Sequence, residues 1–286
     1  MAAVLKVIAT PLGNVGDLAP RAQEALRSCS CLVAEDTRTA ARLFAALTMS
    51  TREIRLLSCP APREPDRVQD VLQALARGEV VGLISEAGAP CISDPGARLV
   101  GAVVDAGYPV QVLPGPSAPV AALMGAGLNT ARFAFLGFLP RVAAKRRQVI
   151  EGAARAGLAL VICEAAHRVP ALLRELHAWC GSRRVVVARE LTKRFETFHR
   201  GALGGPLVPP WREQGEAVVV VEAASVVAAA CGLPAQELSE EDLIRQARGL
   251  LAQGLSARAV TARLHRQAPH VPKRRLYQLV LRVRKM

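Results

Sequence analysis

The chain alternates short apolar runs with segments of helical periodicity, and this alternation restricts the fold more than any other feature. Over the first half, the predicted strands are residues 4–9, 31–34, 54–57, 80–84 and 110–113. The helices predicted between them are residues 17–27, 39–47, 66–77 and 98–106, the first with Asp17 as N-cap and Pro20 in its first turn. This pattern predicts an α/β domain with a largely parallel sheet.

A second alternation follows the Gly/Pro-rich stretch of residues 114–128. Its predicted strands are residues 133–138, 158–163, 185–188 and 217–222, and its predicted helices are residues 143–156 and 170–180. Beyond Pro234 the pattern becomes helical, with helices over 242–253, 256–265 and 273–283, a cap at Ser239 and a helix-turn-helix corner at 254–256. We predict an α/β domain over 1–120, a second α/β domain over 121–232 and a basic helical module over 233–286.

Composition excludes several classes of protein. Hydrophobic residues make up 51% of the 286, so the chain is not disordered as a whole. The longest apolar stretch, residues 217–233, is interrupted by Glu222 and Ser225, and no signal peptide is visible. The seven cysteines lack zinc-finger spacing, and no His-Glu-x-x-His motif occurs. We therefore expect a cytoplasmic protein with reduced thiols, no metal and no membrane span.

The positive charge is concentrated at the C-terminus. The formal net charge is +13, and residues 239–286, with 11 basic and 3 acidic residues, contribute +8 of it. Such a tail is typical of a segment that binds a polyanion, and it is equally typical of a solvated tail that aids solubility. Composition alone leaves these two interpretations open.

Four loops rich in Gly, Pro and small polar residues directly follow predicted strands. They are residues 10–16, 35–38, 85–96 and 114–118. Because ligands of parallel α/β sheets bind beyond the carboxyl ends of the strands, we expect the four loops to meet at one site. The first loop fits neither the dinucleotide nor the phosphate-loop template. Exposed backbone N–H and C=O groups suit a ligand with amino, carboxylate and adenine groups.

Seven motifs occur in a fixed order: VIATPLGNVGDL, VAEDTR, LISEAGAPCISDPGARLV, VLPGPSAPVAAL, FLGFLP, EAAHR and VARELTKRFETFHRG. This series, over roughly residues 4–223, resembles the ribosomal RNA small subunit methyltransferase I family of the tetrapyrrole methylase superfamily. The resemblance implies two α/β domains with S-adenosylmethionine in the cleft between them, and a homodimer. It implies methylation of a cytidine 2′-hydroxyl in the 16S rRNA of the small ribosomal subunit.

The resemblance also implies which residues contact the methyl donor. These are Pro11, Gly13, Gly88, Ala89, Pro90, Ile92, Ser117, Ala118, Cys163 and Leu191. The chain departs from the usual Ser-Asp-Ala-Gly-Thr-Pro at Glu86 and Ala89, and Ala165-Ala166 replaces Ser-Pro before His167-Arg168. If the donor contacts run through the backbone, these departures are tolerable.

Methyl transfer requires alignment of the attacking oxygen with the methyl carbon, and a ribose hydroxyl benefits from a general base or a nearby cation. The candidate catalytic residues are Glu164, His167, Asp36 and Arg38, and the wider set includes Glu35 and Glu190. Asp36 and Arg38 could instead form a structural ion pair at a helix start, and His167 could belong to a helix cap.

Basic residues near the site and in the tail are candidates for contacts with RNA phosphates. They are Arg168, Arg189, Lys193, Lys273, Arg274 and Arg275, and Arg282, Arg284 and Lys285 add charge to the last helix. Two other functions stay open from the sequence. One is methylation of a tetrapyrrole, and the other is RNA binding without catalysis.

Overall fold

The computed structural model describes residues 3–205, 215–224, 240–252, 255–267 and 271–285. The chain divides into two compact units. One unit comprises residues 1–153 and 159–222 and contains two five-stranded sheets. The other comprises residues 154–158 and 223–286 and contains the C-terminal helices. The three predicted domain ranges stay predictions.

The first sheet is wholly parallel, as the sequence predicted. Its strands are β1 (Val4–Ile8), β2 (Cys31–Ala34), β3 (Arg55–Ser58), β4 (Val80–Ile84) and β5 (Val110–Leu113). Their order is β3-β2-β4-β1-β5, so β4 and β1 occupy the centre. Every residue of β2 and β4 is buried, which explains their continuous apolar character.

Helices cover both faces of this sheet and form two hydrophobic clusters with it. The helices of this half are α1 (Pro20–Arg27), α2 (Thr37–Ala46), α3 (Glu64–Ala76), α4 (Ala97–Asp105) and α5 (Ala118–Ala126). The prediction for the first helix was wrong at its start. Asn14 caps a short 3₁₀ helix over Val15–Asp17, and α1 begins only at Pro20 with Ala19 at its N-cap. A proline suits the first helical position because its missing N–H has no partner there.

The second sheet is mixed rather than parallel. Its strands are β6 (Phe133–Phe138), β7 (Ala159–Ala165), β8 (Arg184–Arg189), β9 (Thr197–Ala202) and β10 (Glu216–Val221). The order is β6-β7-β10-β8-β9, and β6–β7 is its parallel pair. Helices α6 (Ala143–Arg155) and α7 (Val169–Cys180) follow β6 and β7. Strand β9 was not predicted from the sequence.

Helix α5 links the two sheets. The sequence prediction treated residues 114–128 as a boundary without a helix, and this was wrong. Ala122 and Ala126 of α5 pack against Val161, Val186 and Val220 of the second sheet. The start of α5 therefore lies beside the loops of the first sheet, while its body lies on the second.

The C-terminal helices form a cluster with its own core. They are α8 (Glu240–Ala252), α9 (Ala257–Gln267) and α10 (Lys273–Lys285). Leu243, Val260, Leu264, Leu276 and Val280 are buried among them. The predicted C-terminal helices are confirmed here, whereas Ser239 and, of the predicted corner at 254–256, Gly254 lie outside the described residues. No helix within the described ranges combines the length and apolar character needed to cross a membrane.

Candidate active site

Two strand-end loops of the first sheet are joined directly by backbone hydrogen bonds. The N–H of Thr10 donates to the carbonyl of Gly88 at 2.8 Å, and the N–H of Gly88 donates to the carbonyl of Thr10 at 3.0 Å. The buried Thr10 hydroxyl lies 3.3 Å from the carbonyl oxygen of Ser85. Gly88 has φ +84°, a conformation that glycine adopts without steric cost.

The loops at residues 35–38 and 114–118 lie at the same edge of the first sheet as the two loops just described. A Cβ on Gly115 would lie 3.1 Å from Cβ of Ala9, so the fourth loop contacts the end of β1. Glu35, in the second loop, interacts electrostatically with Asp94 and Glu86 of the third. The predicted convergence of the four loops is therefore present in the structure.

A cavity of about 310 Å³ lies where this edge faces the second sheet, within the volume range of small-molecule sites. The loops of the first sheet and α5 contribute apolar side chains to its lining, and the second sheet and its loops contribute the rest, including the charged groups. The lining residues are Leu12, Ala87, Ala118, Cys163, Ala188, Glu190, Leu191, Lys193, Gly215, Glu216, Ala217 and Val218.

Two of the three charged residues in the lining, Glu190 and Lys193, come from the loop after β8, and the third is Glu216 of β10. Nζ of Lys193 lies 3.3 Å from Oε1 of Glu190. A Cβ on Gly215, which has φ +86°, would lie 2.8 Å from the same carboxylate oxygen. Gly215 therefore leaves the space that the Glu190 carboxylate occupies. On the other side, the Lys193 stem occupies the position that a side chain at Gly13 would need.

Carboxylates gather beside the cavity. Burial is the largest cause that raises the pKa of Asp94 to about 6, Glu216 and Glu86 raise it further, and a hydrogen bond with Ser85 opposes them. Burial, followed by Asp94 and Glu86, also raises the pKa of Glu35. Electrostatic repulsion from the neighbouring carboxylates therefore contributes to the raised pKa of both Asp94 and Glu35. Of this cluster, Glu216 is the member that lines the cavity.

Cys163 lines the cavity as an unreactive thiol. Burial raises its pKa to about 12, and Glu216 and Asp94 add to the shift. A thiol with so high a pKa holds its proton at neutral pH, so its part in the cavity is that of a small apolar surface.

Four residues that are not glycine adopt left-handed backbone conformations near this site. Cys91 and Ser93 have φ 68° in the third loop, and Glu190 and Thr192 have φ 50° and 63° in the loop after β8. Such conformations are unfavourable for residues with a Cβ and often occur at functional sites.

A buried carboxylate holds the third loop in place. Oε1 of Glu64, at the start of α3, accepts hydrogen bonds from the N–H groups of Gly96, Arg98 and Leu99 at 3.0, 2.8 and 3.0 Å. These amides begin α4 and would otherwise lack partners inside the helix. Glu64 therefore caps a neighbouring helix and fixes the loop that precedes it.

Three of the residues expected to contact the donor line the cavity: Ala118, Cys163 and Leu191. The others lie in the adjoining loops, and their role stays a prediction. Gly13 and Gly88 lie against Lys193 and Leu12, which line the cavity. The remaining residues of this set are Pro11, Ala89, Pro90, Ile92 and Ser117, of which Ile92 is 46% exposed.

Two of the expected catalytic residues form a local ion pair. The Asp36 carboxylate caps α2 by accepting from the N–H of Arg38 at 2.8 Å, and the Arg38 guanidinium donates to both of its oxygens. These hydrogen bonds lower the pKa of Asp36 to about 2. This is the structural alternative that the sequence left open, and the geometry gives Asp36 no free carboxylate for proton transfer.

Glu164 and His167 differ in their surroundings. Consecutive residues of a strand point to opposite faces, so Glu164 faces away from the side on which Cys163 lines the cavity. Its buried carboxylate accepts from the N–H of Ala165 and pairs with Arg168 at 3.2 Å. This arrangement is typical of a structural carboxylate. His167 is exposed in the 3₁₀ turn between β7 and α7.

The basic residues predicted to contact RNA also differ in exposure and pairing. Lys193 is half-exposed at the cavity, and Arg168 is paired with Glu164. Arg189 is 7% exposed, which leaves it little surface for a phosphate. Lys273, Arg274 and Arg275 are exposed in the first turn of α10.

Sequence reasoning missed Glu216 and the apolar lining of β8 and β10. Glu216 is the first residue of an antiparallel strand, and no motif marks it. Asp94 lies in the third predicted loop, residues 85–96, but its sequence context indicated no role for it. Both residues are recognised by their proximity to other carboxylates. That proximity arises only in the folded protein, where the two sheets face each other, so no sequence pattern could have revealed it. Within the described ranges, no cluster of His, Cys, Asp and Glu has the makings of a metal site.

Two α/β halves with a cavity between their sheets form an architecture that comparison with known proteins assigns to a family. Residues 4–206 match the family model of tetrapyrrole (corrin/porphyrin) methylases. The crystal structure of the methyltransferase CobJ superposes with a TM-score of 0.62 at 20% identity, covering 79% of this chain and 95% of that one. The chain therefore belongs to the tetrapyrrole methylase family, and the predicted α/β fold class is confirmed.

Relatives at higher identity carry a narrower name. "Ribosomal RNA small subunit methyltransferase I" of Synechocystis sp. is 37% identical over 97% of this chain and 97% of its own length. The protein of the same name from Mycobacterium tuberculosis is 38% identical over 97% and 94%. That from Xylella fastidiosa is 42% identical over 77% and 82%. The resemblance seen in the sequence motifs, to the family of that name, is confirmed.

Proposed function

We propose that the chain transfers a methyl group from S-adenosylmethionine to the 2′-hydroxyl of a cytidine in the 16S rRNA of the small ribosomal subunit. The observation that carries the proposal is the cavity between the four strand-end loops and the second sheet. It occurs in a methylase whose relatives at 37–42% identity are named for the small-subunit RNA.

The lining of the cavity suits this donor. S-adenosylmethionine carries a sulfonium, an ammonium and a carboxylate next to an adenosine. Glu190 and Glu216 can oppose the two cationic groups, and Nζ of Lys193 can pair with the carboxylate. Ala87, Ala118 and Ala188 leave room for flat and apolar parts of a ligand.

When bound, the donor supplies an electrophilic methyl group, and the protein has to align a ribose oxygen with it. The small side chains at the cavity edge permit close approach, and the backbone hydrogen bonds between Thr10 and Gly88 join two of the loops at this edge. Asp94 and Glu216 are the carboxylates that we place nearest to a proton leaving the ribose. His167 stays a proposed acceptor because it is exposed just beyond β7.

The exposed basic turn of α10 is the proposed contact of the C-terminal helices with RNA phosphates. Replacing Lys273 and Arg274 with glutamine should weaken binding of small-subunit RNA and reduce its salt slope by about 2, since each lost phosphate contact removes about 1. Replacing the buried Thr261 with valine serves as a control in the same helices. An unchanged salt slope would contradict this role.

The family resemblance also leads us to propose a homodimer in the cytoplasm. Sedimentation equilibrium of the purified chain tests the oligomeric state. A single species at the mass of one chain, 30.4 kDa, would overturn the dimer.

The reaction itself is tested by incubating the protein with methyl-labelled donor and small ribosomal subunits from a strain that lacks this protein. We expect the label in 2′-O-methylcytidine after digestion of the 16S rRNA to nucleosides. Label in another nucleoside would correct the target. Absence of label from RNA, together with label in an added tetrapyrrole, would overturn the proposal in favour of a tetrapyrrole methylase.

A further inference from the structure

The loop between β8 and β9, residues 190–196, projects from the cavity wall and has a part that the proposed methyl transfer does not use. Its first half, Glu190, Leu191 and Lys193, lines the cavity. Its second half carries Arg194 and Phe195 beyond that lining. We refer to residues 190–196 as the 190–196 loop.

The shape of the 190–196 loop is fixed by its own hydrogen bonds. The N–H of Lys193 donates to the carbonyl of Glu190 at 2.9 Å, and the N–H of Glu196 donates to the carbonyl of Lys193 at 3.1 Å. The N–H of Thr192 donates to the Glu196 carboxylate at 2.7 Å. These hydrogen bonds, with Glu190 and Thr192 at positive φ, tie the backbone on both sides of the tip within the loop, which reduces the entropy lost on binding.

The tip places an exposed aromatic ring beside a cation. Phe195 is 67% exposed, in a chain with only 3% aromatic residues. The guanidinium carbon of Arg194 lies 5.6 Å from the centre of the Phe195 ring. A single exposed apolar residue is common on protein surfaces. An exposed aromatic ring beside an arginine, on a loop at the edge of a cavity, is an arrangement with which proteins stack the bases of single-stranded nucleic acids.

We propose that Phe195, with Arg194 beside it, is a stacking platform for an unpaired RNA base next to the nucleotide that enters the cavity. The inference rests on the proposed function, because it takes RNA as the substrate. A 2′-hydroxyl can reach the cavity only if its nucleotide leaves the regular stack, which costs free energy. A ring at the edge of the cavity offers the displaced strand a new stacking partner.

A fluorescent variant tests the contact directly. In Phe195→Trp the indole replaces the phenyl ring, and stacking of a base on it should quench its emission. The matched control is Phe133→Trp, because Phe133 is also exposed, at 46%, but lies at the start of β6. It pairs with Ala159, whereas Cys163 of the cavity lies about 13 Å further along β7.

We expect a cytidine-containing single-stranded oligoribonucleotide to quench, to saturation, the emission that Phe195→Trp adds to that of the wild type, and to leave the emission added by Phe133→Trp unchanged. An abasic oligomer with the same phosphates should not quench. No quenching of Phe195→Trp by RNA would overturn the platform. Equal quenching by the abasic oligomer would also overturn it, because the contact would then be with the backbone.

Affinity measurements separate stacking from apolar packing. Phe195→Ala and Phe195→Leu should weaken RNA binding about 5- to 100-fold, whereas Phe195→Trp should bind like the wild type. Phe133→Ala should have no effect. If the leucine variant binds like the wild type, the ring is not stacking on a base and the platform is wrong.

The outcome is distinguishable from failure of the proposed function. Donor binding should be unchanged in every Phe195 variant, since the ring lies outside the lining residues. If the wild type methylates the subunit RNA and Phe195→Ala does so with the same KM, the platform fails and the function stands. If the wild type methylates no RNA, the function fails, and quenching by RNA still decides whether a base stacks on residue 195.

Discussion

The cavity-lining loops of the two sheets are fixed by different interactions. On the first sheet, the loops are fixed by buried hydrogen bonds, between Thr10 and Gly88 and from the Glu64 carboxylate to the start of α4. On the second, the loop after β8 carries a half-exposed ion pair between Glu190 and Lys193. The loops of the first sheet are held by hydrogen bonds to buried groups, whereas the loop after β8 presents charged side chains to solvent.

This difference between the two sheets predicts that substitutions in them affect protein stability and donor binding differently. Because buried residues such as Thr10, Gly88 and Glu64 hold the first-sheet loops, changes at these residues should lower the free energy of unfolding and donor affinity together. Because an exposed ion pair contributes little to stability, changes on the second sheet should reduce activity alone. Each substitution below tests one side of this contrast.

The largest effect is expected from Gly88→Val. A β-branched residue at φ +84° is strained, and its Cβ would lie 3.1 Å from the side chain of Leu12. We expect the free energy of unfolding to fall by about 2–3 kcal/mol and donor affinity to fall at least tenfold. Urea denaturation and calorimetry measure the two quantities.

The matched control is Gly78→Val. Gly78 has φ +81° but no atom near its missing Cβ, and it precedes the opposite end of β4. It should share the loss of stability and keep donor affinity. If both variants bind the donor equally well, the loop at Gly88 does not shape the site.

The next effect is expected from Glu64→Ala. Removing the carboxylate leaves three amides at the start of α4 without their acceptor, so we expect a loss of about 2 kcal/mol in the free energy of unfolding. Glu64→Gln keeps an acceptor oxygen and should lose less. Asp66→Ala, two residues on and in an exposed pair, should change stability by less than about 0.5 kcal/mol. Equal stability of the two alanine variants would refute the cap.

Lys193→Gln tests the second sheet. Its ion pair with Glu190 is half-exposed, so the free energy of unfolding should change by less than about 0.5 kcal/mol. We expect kcat/KM for methyl transfer to fall about tenfold, because one charge-assisted contact at the cavity is lost. Arg77→Gln removes an exposed pair with Glu79 away from the cavity and should leave kcat/KM unchanged. A large fall in the free energy of unfolding of Lys193→Gln would contradict the claim that changes in the second sheet affect activity alone.

The smallest effect concerns pH. The pKa of Asp94 is raised to about 6 in the folded protein, so folding favours its protonated form. That stabilisation is complete below about pH 4 and is lost as the pH rises through 6. After allowance for its partial exposure, the change should be of order 1 kcal/mol. Asp94→Asn should therefore be more stable than the wild type at pH 8 and equal to it at pH 4, by thermal unfolding. The same difference at both pH values would contradict the shift.

The first sheet could be predicted because its strands are continuous apolar runs. Burial on both faces leaves no alternative for segments such as Val80–Ile84, and parallel strands bring their following loops to one edge. The meeting of Thr10 with Gly88 follows from that topology once β1 and β4 are neighbours.

Four strands of the second sheet were predicted from the sequence, whereas strand β9 and helix α5 were missed for identifiable reasons. Strand β9 is a half-buried edge strand without an apolar run, so its residues resemble a loop. Helix α5 begins after Pro114 and Pro116 and contains Pro119 in its first turn, where proline is tolerated. The charged lining of the cavity depends on backbone turns at Glu190 and Gly215 that no local pattern indicates.

The central claim, that the cavity between the two sheets holds the methyl donor, is tested most directly by calorimetric titration with S-adenosylmethionine. The informative variant is Ala118→Phe, which fills the cavity from the start of α5, and Val120→Phe, two residues on at an exposed position, is its control. We expect one donor per chain in the wild type and Val120→Phe, and at least a hundredfold loss of affinity in Ala118→Phe. Donor binding by Ala118→Phe at wild-type affinity, or no binding by the wild type, would contradict the account.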